Sequence, residues 1–97
     1  MPLSGRLERR IRHDFPDPGS ALEILRMLEE LPDAAGYDAK HFGSERVQAA
    51  IVLLARGEAQ KFHEAVRLAK TDWRDLLVAA DLAHANWPDR LDTELGS

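Results

Sequence analysis

Nucleophilic catalysis asks for a hydroxyl or thiol beside a histidine that a carboxylate holds in place. The chain has no cysteine, which removes thiol nucleophiles, disulfides and thiolate zinc sites together. Its hydroxyls fall mostly at helix starts. Ser4, Ser20, Ser44 and Thr71 each stand at the opening of an amphipathic run, where a side-chain oxygen accepts from a free backbone N–H. Thr93 and Ser97 are left over in the last stretch. A metal site would need histidines and carboxylates on one face, yet His13, His41, His63 and His84 are widely spaced and form no His-x-x-x-His pair. His63 shares a polar helix face with Gln60 and Arg67. His84 follows Leu77 and Ala80 towards a helix C-terminus, where the dipole favours an imidazolium. These residues assign no catalytic group, no metal ligand and no cofactor, and give no ground for naming an enzyme.

Binding is the other chemistry on offer, and three groups of residues carry it. Arg6, Arg9, Arg10 and Arg12 gather in the first thirteen residues against Glu8, a local charge of +3 in a chain whose net charge is −4. With His13 they could grip phosphates or an acidic partner, or dock on the acidic remainder of their own chain. No aromatic residue is interleaved for base stacking, which favours the internal role. A helix-turn-helix reading fails on charge, because its recognition helix would present Asp72, Asp75 and Asp81 to the phosphates. The second group is Trp73, Arg74, Trp87 and Arg90 at two helix boundaries, with Val78 and Leu82 off the main stripe of their helix. Tryptophan and arginine are the side chains that most often anchor interfaces. The third is the loop containing Tyr37, Asp38, Lys40 and His41, followed by Phe42, which either plugs the core or lines a small-ligand pocket.

The elements that must position these groups are all helical. Leu3, Leu7, Ile11 and Phe15 recur every fourth residue, which predicts a helix over 5–14 capped by Ser4 and ended by Phe15-Pro16. Asp17-Pro18, or a capping box of Ser20 and Glu23, starts a helix over 18–31 with Leu22, Ile24, Leu25, Leu28 and Leu31 inward. Pro32 is expected to stop it, leaving a loop to residue 43. Ser44 caps a third helix, 44–56, which is apolar almost all round and closes at Gly57. A fourth, 58–70, turns Ala59, Phe62, Ala65, Val66 and Ala69 inward. The fifth, 72–84, starts at Thr71 or Asp72 and aligns Leu76, Leu77, Ala80 and Ala83. A short final helix, 88–95, begins at Pro88 and is anchored by Leu91 and Leu95. No segment alternates with period two and no hairpin signal occurs. The fold class is therefore all-α: one domain over 1–97, an irregular bundle of about five amphipathic helices plus a short C-terminal one.

Two stretches carry a resemblance. Residues 43–57 (Gly-Ser-Glu-Arg-Val-Gln-Ala-Ala-Ile-Val-Leu-Leu-Ala-Arg-Gly) and 71–83 (Thr-Asp-Trp-Arg-Asp-Leu-Leu-Val-Ala-Ala-Asp-Leu-Ala) resemble a family of short uncharacterised helical proteins of bacteria, mainly actinobacteria. The likeness continues through Trp87-Pro88-Asp89-Arg90-Leu91 and loosely includes 9–16. It implies a bacterial cytoplasmic helical protein and transfers no activity, cofactor or site residue.

No run of eighteen apolar residues and no signal-like segment occurs, so the expected location is the cytoplasm, with no membrane partner. The expected function is a non-catalytic helical protein-interaction module. Its first partner is a second copy of itself, because the third and fifth helices look too apolar for the remaining elements to cover. Another protein is the next candidate. A nucleic-acid-associated regulator using the basic first helix is the alternative, and a ligand-binding protein or weak enzyme using the 33–43 loop a further one.

Overall fold

The computed structural model describes residues 5–35 and 45–96, with side chains described for 5–30 and 45–96. Among these residues there are six helices and no strand: α1 (Gly5–Asp14), α2 (Pro18–Ala35), α3 (Glu45–Ala55), α4 (Ala59–Thr71), α5 (Trp73–Ala79) and α6 (Trp87–Leu95). The all-α bundle is thus present. The helix starts expected at Ser4 and Ser44, and the Tyr37–Phe42 part of the loop, lie outside the described residues.

α3 is the hub. It packs against α4, α5, α1 and α6, and Ala49, Ala50, Ile51 and Val52 have no exposed surface. A helix apolar on nearly every side must be surrounded, and here the other helices of the same chain surround it. Leu53 and Leu54, near its C-terminal end, stay only partly buried. Small residues at the crossings, among them Ala49, Ala55, Ala65 and Ala69, are buried and let α3 and α4 approach closely.

The turn between α3 and α4 depends on two left-handed residues, Arg56 (φ 49°) and Gly57 (φ 78°). Helix α3 accordingly stops at Ala55, one residue short of expectation, and the Glu58 N–H bonds the Ala55 carbonyl at 2.9 Å. Gly57 is required for a second reason. A Cβ there would sit 2.8 Å from the Asp14 carbonyl oxygen at the end of α1. The same corner is sealed by Phe15, whose ring meets Phe62 edge-on at 6.4 Å between centroids. Leu7, Ile11 and Phe15 thus bury the α1 row as the four-residue spacing required.

Several boundaries and orientations differ from expectation, most by a single residue. α2 starts as foreseen, with the Asp17 carboxylate accepting from the Ser20 N–H at 3.0 Å and from its hydroxyl at 3.1 Å, so Asp17 and not the Ser20–Glu23 box makes the cap. It then runs through Pro32 to Ala35. Proline forfeits one backbone bond, but its fixed φ is a helical value, and the helix absorbs the loss. Its buried face is Ala21, Ile24, Leu25 and Leu28, which leaves Leu22, one position and 100° away from Ala21, 54% exposed. α4 begins at Ala59, which is exposed.

α5 is the largest departure, ending at Ala79 and not at residue 84. Asp81 takes a left-handed conformation (φ 60°). The Leu82 N–H reaches back to the Leu77 carbonyl at 2.8 Å and the Asp81 N–H to Val78 at 3.1 Å. This pair of bonds is a Schellman motif, usually built on glycine; aspartate is among the few other residues that tolerate the conformation. Asp72, the N-cap of α5, accepts from the Arg74 N–H at 3.0 Å. Ala83 is therefore exposed rather than part of a stripe, and His84 lies in the connection to α6, 3.4 Å from Asp81.

The Gly57→Ala variant is expected to lose about 2 kcal/mol or more, from the left-handed strain plus the clash with Asp14. Urea denaturation followed by circular dichroism reads this directly; an unchanged midpoint would refute the two-fold requirement for glycine.

Candidate interaction surfaces

Three of the four arginines of α1, Arg6, Arg10 and Arg12, hold carboxylates. Arg6 binds Glu45 at the start of α3 through two bonds, Nη2 to Oε1 at 2.6 Å and Nε to Oε2 at 3.0 Å, and reaches Asp92 on α6 with Nη1 at 2.5 Å. The bond to Glu45, then that to Asp92, raises the affinity of the guanidinium for its proton, with partial burial acting weakly the other way. A raised value adds stability below the unfolded-state pKa and loses it only as pH climbs through the folded one, so this arginine keeps its charge over the working range. Arg10 donates to Asp14 at 2.9 Å and to the Glu94 carbonyl at 2.6 Å. Arg12 pairs with Glu8 one turn back at 3.1 Å. Arg9 is exposed and, with Arg10, His13, Glu94 and Leu95, lines a shallow pocket of about 380 Å³. Of the four arginines in the electrostatic patch proposed from the sequence, Arg6 and Arg10 dock α1 on α3 and α6, Arg12 pairs within α1, and Arg9 stays exposed.

The tryptophan-bearing ends divide. Trp87 is half-buried under Arg46, whose guanidinium carbon lies 4.8 Å from the ring centre. The same guanidinium donates Nε and Nη2 to the Leu82 carbonyl at 2.9 and 2.7 Å. Arg90 donates Nε to the Ala80 carbonyl at 3.2 Å and Nη1 to Glu94 at 3.1 Å. Leu82 is fully buried, so it belongs to the core and not to a partner surface. Trp87, Arg90 and Leu82 therefore build the α5–α6 corner. Trp73 is half-buried with Arg74 over its ring at 5.6 Å, and Val78 is 66% exposed. Arg46 was missed in the sequence, where it looked like one more polar residue at a helix start; its position just before an apolar run was the available signal.

Between α3, α4 and α5 the surface is hollow. Leu54 of α3, Ala65 and Leu68 of α4 and Ala79 of α5 line a groove of about 390 Å³, rimmed by Arg56, Lys61 and Glu64. Residues 61, 64, 65 and 68 are spaced as one stripe of α4, so the groove follows that helix. Nothing in the hydrophobic pattern announced it: Ala65 reads as core, and Leu68 is assigned no role. Among the described residues no three histidine, aspartate or glutamate side chains converge as a metal site would require, and no helix is long and apolar enough to cross a membrane. The Tyr37, Asp38, Lys40 and His41 loop lies outside the described residues.

Fold and surfaces together define a small helical bundle with a groove between α3, α4 and α5 and an exposed valine on α5. Comparison with protein families, with curated proteins and with solved structures found no match.

Replacing Arg46 by lysine keeps the charge but removes the fork that serves the Leu82 carbonyl and the flat face over Trp87. The expected loss is about 1 to 2 kcal/mol, and about 2 to 3 for alanine. Chemical denaturation monitored by tryptophan fluorescence tests both; equal stability of all three proteins would mean the corner holds without this contact.

Proposed function

We propose that this chain is a helical protein-interaction module of the bacterial cytoplasm, without catalysis of its own, whose first partner is a second copy of itself. The observation that carries this reading is the exposure of two large apolar side chains, Leu22 at 54% and Val78 at 66%, together with a partly apolar groove along α4. Apolar surface of this kind gains by being covered. The polar groups speak for structure rather than reaction. The Ser20 hydroxyl serves Asp17, the Thr71 hydroxyl donates to the Arg67 carbonyl and that of Thr93 to the Asp89 carbonyl.

The nucleic-acid alternative loses support from the same geometry, because Arg6, Arg10 and Arg12 already hold carboxylates. Labelled duplex DNA at moderate salt is expected to show no binding by anisotropy. Binding that weakens with salt, with a slope reduced in Arg9→Ala, would restore that alternative.

Light scattering on a sizing column, from low to high micromolar protein, tests the main reading. The mass is expected to rise towards twice the 10.9 kDa of one chain as concentration increases, and to persist at raised salt because the contact is apolar. A constant single-chain mass at every concentration would refute self-pairing.

A further inference from the structure

We infer that two copies pair by exchanging α6: the break after α5 straightens, and the α6 of each copy docks on α1 and α3 of the other. This inference rests on the reading of self-pairing and supplies its mechanism. It starts from a conflict between sequence and backbone. Ala80-Asp81-Leu82-Ala83-His84-Ala85 contains neither glycine nor proline, is rich in good helix formers, and by its periodicity continues α5 to residue 84. The chain nevertheless reverses there, with Asp81 rather than a glycine in the left-handed conformation (φ 60°). That conformation costs an L-residue free energy that a helical one does not. A local preference set against the global fold marks an element with two arrangements, here a bent and a straight one.

The docking surface for an exchanged α6 is the one it already occupies. Leu91 and Leu95 are buried there, Arg6 binds Asp92, Arg10 binds the Glu94 carbonyl, and the Arg46 guanidinium lies over Trp87. All three arginines belong to α1 and α3, so the α6 of a second copy meets the same donors and the same apolar seat. The seam is kept on exchange, and the hinge decides whether it closes within one chain or between two. Straightening also gives Val78 neighbours. In the bent form Leu82 is fully buried and Val78 is 66% exposed. On a helix continued past Ala79, Val78, Leu82 and Ala85 fall on one face at spacings of four and three. Leu82 then leaves the core of its own chain, and the two straightened helices cover this row against each other.

The test compares the intact chain with three variants of Asp81, an exposed residue, by sedimentation equilibrium over the micromolar range, with circular dichroism on the same samples. Asp81→Ala disfavours the left-handed conformation and favours continued helix, so it is expected to tighten pairing by about tenfold; Asp81→Gly acts oppositely on both counts and is expected to weaken it by about tenfold. Asp81→Asn removes the carboxylate beside His84 and Arg90 but tolerates the left-handed conformation, and should pair like the parent. Helix content should rise with the dimer fraction, because straightening adds the residues between α5 and α6 to a helix. Pairing that is the same in all four proteins, or a dimer with no more helix than the monomer, overturns the exchange while leaving self-pairing intact. A parent chain that stays monomeric throughout overturns both.

Discussion

A helix that is apolar on almost every side cannot stand at the surface of a small domain, and the arrangement of this molecule follows from enclosing one. α3 supplies Val47, Ala49, Ala50, Ile51, Val52 and Ala55 to the core. Four other helices touch it. With fewer than a hundred residues, such a domain has little apolar surface to spare. Covering α3 draws on the amphipathic faces of α1, α4, α5 and α6 together, and alanines at the crossings make the close spacing possible.

The second organising force is the way arginines finish helices. The last carbonyls of any helix lack partners within it and carry the negative end of its dipole. At the end of α5, Arg90 binds the Ala80 carbonyl and Arg46 the Leu82 carbonyl. At the end of α6, Arg10 binds the Glu94 carbonyl and Arg6 lies 3.3 Å from that of Gly96. Each of these side chains comes from a different helix or a later turn, so each satisfies a carbonyl and joins two elements in one contact. Exposed ion pairs contribute little singly; a forked donor aimed at an otherwise unpartnered carbonyl is a stronger and more directional tie.

Much of the fold was legible because its signals are local. The four-residue row of α1, the Asp17-Pro18 start of α2, the left-handed Gly57 and the Asp72 cap depend on residues a few positions apart. The end of α5 was not legible. Ala80-Asp81-Leu82-Ala83 contains no glycine or proline, and the helix stops there because Leu82 is drawn into the core and two distant arginines hold the reversed backbone. Leu22 was expected inward, where its neighbour Ala21 is the buried residue, for a related reason: a choice between positions one residue apart is decided by what packs opposite them. The candidate surfaces followed the same rule. Val78 was recognisable from its own helix, but the groove takes side chains from α3, α4 and α5 and exists only once those helices are assembled. The arginines of α1 were visible as a basic cluster, while their acidic partners, Glu45 and Asp92, lie far along the chain.

The contact between Arg6 and Asp92 spans 86 positions of sequence, and this separation bears on the order in which the molecule assembles. Closing a chain over such a length costs more entropy than closing the three-residue turn between α3 and α4. The hairpin of α3 and α4, with α5 folding back on it, is a local nucleus that can form quickly. The α1–α6 seam has to wait until that nucleus offers a surface to both. Folding should therefore proceed from the middle of the chain outward, with the two flanking helices meeting last and fastening each other.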